Sequence, residues 1–143
     1  MKLTSFTDFS LRVLIYLAAE PQRRATIAEI ANAYGINENH LTKVVHFLGR
    51  HGWLATVRGK GGGLGLARSP EDIVIGTVVR QTEGEDVPAE CFAQDTDNCC
   101  ISRVCRLKGV LREATEAFHA VLDRYTLADL TRNRQMLATL LRI

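Results

Sequence analysis

The sequence predicts a mainly α-helical fold with a small β-hairpin wing: a winged helix-turn-helix followed by a long dimerisation helix. Three observations carry this expectation. Short amphipathic stripes at helical spacing fill the first fifty residues. A glycine-rich stretch, Gly59-Lys60-Gly61-Gly62-Gly63, separates two strand-like runs. A long stripe with two apolar faces follows Cys105.

The first helix is marked by Phe6, Phe9, Val13, Leu14 and Leu17 and should end near Glu20-Pro21. The second starts at Thr26, with Glu29 three residues on, the spacing of a capping box. It carries Ile27, Ile30 and Ala31 and stops at Gly35. The third follows Asn37, a good N-cap. Its apolar positions are Leu41, Val44, Val45 and Leu48, and Gly52 ends it. Trp53–Arg58 and Leu64–Ala67 then read as strands joined by the glycine-rich turn. Ser69-Pro70-Glu71-Asp72 opens a connection, and Ile75–Thr82 reads as another helix. Residues 1–82 thus form the winged helix-turn-helix.

Residues 83–98 hold six acids and no Lys or Arg, and read as a loop. From Cys105 a long helix places Leu107, Leu111, Ala114, Phe118, Val121 and Tyr125 at alternating four- and three-residue steps. Val110, Ala117 and Leu122 form a second strip. Two apolar faces let one helix pack on its own domain and on a second copy, so a homodimer is expected. A last short helix is expected from about Leu127 to Leu141, so that residues 105–143 form the dimerisation and C-terminal part.

The 143 residues suit one domain of ordinary size, and a 46% hydrophobic content supplies a core. Asp8, Ser10 and Arg12 interrupt the first apolar stretch, so a signal peptide is not expected. No apolar run approaches the roughly 20 residues that cross a bilayer. The expected location is cytoplasmic, with no membrane partner. Charge is uneven: residues 1–68 hold nine Lys/Arg against four Asp/Glu, and residues 69–143 nine against twelve. A basic N-terminal half is what phosphate binding needs.

A helix after a tight turn is narrow enough for the DNA major groove, and its first residues meet base edges. Asn39, His40 and Lys43 are the candidates, with Asn37 at the cap. Glycines let the wing approach the backbone of a double-stranded DNA operator, where Arg58, Lys60 and Arg68 neutralise phosphates. His46 and Arg50 lie further along the helix and suit backbone contacts. A winged helix also serves as a protein-binding module, which is the competing reading.

All four cysteines fall within fifteen residues: Cys91-x7-Cys99-Cys100-x4-Cys105. Disulfides are rare in a reducing compartment, so an inorganic site is the first expectation. No Cys-x2-Cys pair is present, which argues against a zinc finger or ribbon. Three thiols with a fourth ligand from elsewhere suit an iron–sulfur cluster, [4Fe-4S] better than [2Fe-2S]. Structural zinc and metal-free redox thiols are the alternatives.

The chain resembles the NsrR nitric-oxide-sensitive repressors, relatives of the IscR iron–sulfur regulators, over nearly its full length. The resemblance is carried by Leu3-Thr4-Ser5-Phe6-Thr7-Asp8, the wing from Arg58 to Ala67, Cys105-Arg106-Leu107-Lys108, and Tyr125-Thr126-Leu127-Ala128-Asp129-Leu130. It implies three cluster ligands, the last two separated by five residues, as Cys99 and Cys105 are. Cys91 would be the first, although its gap of seven residues to Cys99 exceeds the family's usual one. Cys100 is an extra thiol and an alternate ligand. The fourth ligand implied is Asp8 of the partner subunit. The residues alone give Asp8 another role, complementing the helix dipole and pairing with Arg12. The IscR arrangement places a histidine three residues after the last cysteine, where this chain has Lys108.

The resemblance therefore implies a homodimeric repressor on a palindromic operator, with residues 83–104 as a cluster-binding loop. Nitric oxide would be the effector, and nitrosylation of the cluster would release DNA. Enzymatic activity is not expected. Two rivals remain: a same-fold regulator of iron, cluster supply or redox state, and an electron-transfer or cluster-carrier protein whose winged helix binds a protein.

Overall fold

The computed structural model describes residues 3–84, 89, 92, 99–101 and 103–143. Seven α-helices and one hairpin are seen among them. They are α1 (Ser5–Ala19), α2 (Ile27–Tyr34), α3 (Glu38–Arg50), β1 (Leu54–Val57), β2 (Gly63–Leu66), α4 (Ile75–Glu83), α5 (Arg106–Leu122), α6 (Leu127–Leu130) and α7 (Arg134–Leu141). A short 3-10 turn, Pro70–Asp72, precedes α4.

α1 is the central strut. It packs against α3, α4, α6, α7 and β2. Val13, Leu14 and Leu17 are buried in the core with Ile30, Leu41 and Leu48. Full burial of such a side chain contributes about 1.5–3 kcal/mol. The N-cap of α1 is Thr4, whose hydroxyl accepts from Thr7 N. Thr4 N–H also donates to Glu83 Oε1 at 2.9 Å, and the Thr7 hydroxyl donates to Thr82 Oγ1 at 2.8 Å. The start of α1 is thereby tied to the end of α4.

The helix-turn-helix forms for local reasons. Thr26 and Glu29 make the expected capping box. Gly35 adopts φ +64, the left-handed conformation that ends α2, and its N–H donates to Ala31 O. Asn37 then caps α3, accepting from Asn39 N at 2.9 Å. The hairpin pairs Leu54 with Leu66 and Val57 with Gly63. An antiparallel bridge from Ala25 to Leu64 adds the α1–α2 connection to its edge.

Two boundaries differ from the expected ones. α5 ends at Leu122, and Asp123–Tyr125 turn back toward the head. The expected helix from Leu127 to Leu141 is two helices, α6 and α7. Thr131 stands at the break, fully buried, with its hydroxyl donating to Leu127 O at 2.9 Å. The Thr131 backbone leaves the helical conformation, and Asn133 stands at the start of the next helix without a side-chain cap bond.

Candidate DNA-reading face and thiol segment

α3 divides cleanly along its length. Leu41, Val44, Val45 and Leu48 are buried, while Asn39, His40, Thr42, Lys43, His46 and Arg50 are exposed. The side chain of Asn37 is already engaged in its cap. The His40 ring stacks on Phe9 of α1, centroids 6.3 Å apart and planes inclined by 20°. A small apolar cleft between α1 and α3 is lined by Phe6, Phe9, His40 and Lys43. One face of the reading helix is thus set directly by α1.

The wing carries Arg58 and Lys60 on exposed backbone. Its tip is backbone packed on backbone. A Cβ at Gly62 would lie 2.2 Å from Val57 O and 2.8 Å from Gly59 O, so no side chain fits there. Between α3 and the hairpin runs an open groove of about 460 Å³. Thr42, His46, Arg50 and Thr56 line it with Ile27 and Leu54.

Arg68 is placed differently from the other cations. Its guanidinium lies 4.5 Å from the centroid of the Trp53 ring, and Nε donates to Gly52 O at 3.1 Å. Thr42 and Thr56 in the groove between α3 and the hairpin, and Arg24 beside the wing, were not among the sequence candidates. The Ala25–Leu64 bridge sets Arg24 against the wing: a Cβ on Gly63 would be 3.1 Å from Arg24 Cβ. Four-residue spacing from His46 would have found Thr42. Nothing local marks the other two, because strand pairing places them.

Asp8 and Arg12 form a two-point pair on α1, Arg12 Nε to Oδ1 at 3.1 Å and Nη2 to Oδ2 at 3.0 Å. Arg12 also lies over the Tyr34 ring, 5.6 Å from its centroid, at the end of α2. Burial pushes the Tyr34 phenol up to about 12, although the Arg12 charge opposes the shift. The pair therefore touches both α1 and the helix before the turn.

Cys99 and Cys100 are exposed and Cys105 is half-buried, and all three are free thiols. Cys105 is the N-cap of α5. Cys91 lies outside the described residues. Among the described residues no three His, Cys, Asp or Glu side chains converge on a metal-sized site. The donor chemistry nevertheless fits a thiolate-held inorganic group, since Cys99, Cys100 and Cys105 are free of disulfides. α5 itself has no fully buried residue. Phe118 and Leu122 rest on the core, while Leu107, Val110, Val121 and Tyr125 are exposed. Among the described residues no helix is long and apolar enough to cross a membrane.

Comparison with known proteins places this arrangement. Residues 3–133 match the Rrf2 family, described as iron-dependent transcriptional regulators. The HTH-type transcriptional regulator NsrR of Bacillus subtilis (strain 168) is 52% identical over 144 aligned residues, covering 100% of this chain and 99% of that protein. NsrR of Halalkalibacterium halodurans is 48% identical, with the same coverage of both chains. Among solved structures, IscR of T. potens superposes with a TM-score of 0.75 at 26% identity, covering 93% of this chain and 88% of that one. CymR, the global cysteine regulator of B. subtilis, superposes with a TM-score of 0.70 at 27% identity, covering 93% and 98%. These relatives are regulators, not enzymes, and the winged helix is their common fold. The chain belongs to the Rrf2 family of iron-dependent transcriptional regulators.

Proposed function

We propose that this regulator is a homodimeric repressor that reads a palindromic operator and responds to nitric oxide through an iron–sulfur cluster. The observation that carries the reading is one chain combining an exposed basic reading face, free thiols before α5, and an apolar α5 seam open to a second copy. The full-length similarity to NsrR proteins supports it.

In this reading each residue takes a role. Asn39, His40 and Lys43 face the major groove from the start of α3, with Asn37 fixing that start. His46 and Arg50 line the groove beside the wing, where a sugar–phosphate strand would pass. Arg58 and Lys60 meet phosphates from the wing, and Arg68 flanks them from its seat on Trp53. Leu107, Val110, Val121 and Tyr125 pair α5 with its copy. Cys91, Cys99 and Cys105 hold the cluster, with Cys100 as the alternate thiol and Asp8 of the partner subunit as the fourth ligand. A [4Fe-4S] cluster held there would supply irons to which nitric oxide binds.

Each chain contributes the mechanical part. α1 carries Asp8 and also seats the reading helix through the Phe9–His40 stack. A tie at Asp8 between protomers fixes the two reading helices about one turn of DNA, roughly 34 Å, apart. With Asp8 paired to Arg12 instead, α1 is held only within its own chain, and the two heads lose that common register.

The test is anaerobic purification followed by visible absorption and operator binding before and after nitric oxide. A coloured, iron-containing protein that loses both colour and operator affinity is expected. A colourless protein with one zinc per chain overturns the cluster reading. The likeness to IscR favours one second reading, a regulator of iron or cluster supply. A response to oxygen or iron limitation with none to nitric oxide would select it.

A further inference from the structure

Among the described residues, α5 rests on the core of the head through Phe118 and Leu122, near its C-terminal end. Just past that end, Tyr125–Leu127 pair with Ile73–Ile75. Ile75 N–H donates to Tyr125 O at 2.9 Å, Leu127 N–H donates to Ile73 O at 2.8 Å, and Val74 and Thr126 form an antiparallel bridge. Asp123, the C-cap of α5, lays its carboxylate on the first turn of α4. A Cβ at Gly76 would stand 2.0 Å from Asp123 Oδ1 and 3.0 Å from its backbone nitrogen, so glycine is required for this approach. One helical turn further on, Arg80 grips the same carboxylate at two points, with Nη1 to Oδ1 at 2.7 Å and Nη2 to Oδ2.

A two-point guanidinium–carboxylate contact fixes orientation as well as distance. The pair is exposed, and exposed ion pairs contribute little to stability. Neither residue belongs to the reading face or the thiol segment. The clamp joins the end of α5 to α4 of the head, beside the backbone bonds of Tyr125–Leu127.

We propose that Asp123 and Arg80, seated by Gly76, are positioning residues for operator recognition: they fix the α5–head angle and so the spacing of the two reading helices. The inference rests on the dimeric reading given above. Lever length gives it weight. The 17 residues of α5 span about 26 Å at about 1.5 Å each. A tilt of about 10° at the base displaces the far end by about 4–5 Å, more than the roughly 3.4 Å rise of one base pair. A loosened base therefore blurs half-site spacing while leaving each head able to read.

The experiment compares full-length wild type, Asp123→Asn and Arg80→Gln, prepared identically. The probes are the two-fold duplex that wild type selects from random-sequence DNA, the same duplex with one half-site scrambled, and versions with one or two central base pairs added. Each variant is expected to match wild type on the single half-site. On the intact operator it loses about tenfold, about 1.4 kcal/mol, and its preference for the native spacing flattens. An unchanged spacing preference overturns the proposal. So does an equal loss on half-site and full operator with a lowered melting temperature, since that marks a plain stabiliser of the head. If wild type selects no two-fold site, the dimeric reading fails and takes this inference with it. If wild type selects one and the variants share its spacing profile, this inference fails alone.

Discussion

The Arg12 guanidinium occupies both oxygens of the Asp8 carboxylate, at 3.1 and 3.0 Å. An acid at that position thus has a partner within its own chain, one helical turn away. Both side chains are almost half exposed, and such pairs contribute roughly 0–1 kcal/mol. Asp8→Ala is therefore expected to leave the melting temperature within a few degrees of wild type. It should change the visible spectrum or the iron content of the anaerobically purified protein. If neither moves, Asp8 serves only Arg12.

Lys43 and Arg68 should separate by function. Lys43 projects from the exposed side of α3, so Lys43→Ala is expected to weaken operator binding by about 1–3 kcal/mol if it reads a base. If it meets a phosphate, the salt dependence should fall by about one counterion. Arg68 is engaged by Trp53 and Gly52. Arg68→Ala should therefore lower the unfolding free energy by about 0.5–1 kcal/mol as well. Binding isotherms at several salt concentrations, with urea unfolding of each variant, check both expectations.

Gly62→Ala tests whether the wing takes part in binding. The new methyl group would meet Val57 O and Gly59 O well inside contact distance. The hairpin tip must open, at a cost of about 1–3 kcal/mol. Faster amide exchange is expected across Val57–Leu64, with weaker operator binding and α1–α3 unchanged. Full operator affinity with an opened tip would remove the wing from the interface.

Val110→Glu addresses the dimer. Val110 is 59% exposed on α5 and has no role in the head's core. A carboxylate there should shift sedimentation equilibrium toward monomer while circular dichroism of the head is retained. A dimer of unchanged affinity would move the seam elsewhere.

Acid stability carries a signature at Glu29. The Thr26 N–H holds this carboxyl below its ordinary value, with help from the Thr26 hydroxyl and Arg23. Folding therefore favours the charged form. The stabilisation is present above the unfolded value, about 4.3, and is lost as pH falls through the lower folded value. Melting curves of wild type and Glu29→Gln should differ most above about pH 5 and converge only as pH falls through the lowered folded value. A gap that stays constant with pH would exclude the linkage.

Much of the head was legible because local rules decide it. The capping box at Thr26 and Glu29, the helix stop at Gly35 and the glycine-rich turn between the two strands each take their expected place. The expected helix from Leu127 to Leu141 fails for a non-local reason. Thr131, at the break, is fully buried, which spacing alone does not record. Arg24 and Thr56 were missed for the same kind of reason, since the Ala25–Leu64 pairing and the hairpin register place them. The reading-face candidates on α3 are exposed as expected. For Arg68, charge was visible in the sequence but its seat on Trp53 was not.

The bonds that Thr4 donates to Glu83 and Thr7 donates to Thr82 bear on the length of the thiol segment. They moor the residue where the acidic stretch begins to the first turn of α1, and Cys105 at the far side opens α5. Glu83 and Cys105 are thus each held by a helix, and the chain between them is a connection between two fixed points. Lengthening such a connection is cheap, only about 0.6 kcal/mol for a doubling. Residues added between Cys91 and Cys99 are therefore expected to leave the bonds of Thr4 with Glu83 and of Thr7 with Thr82 in place.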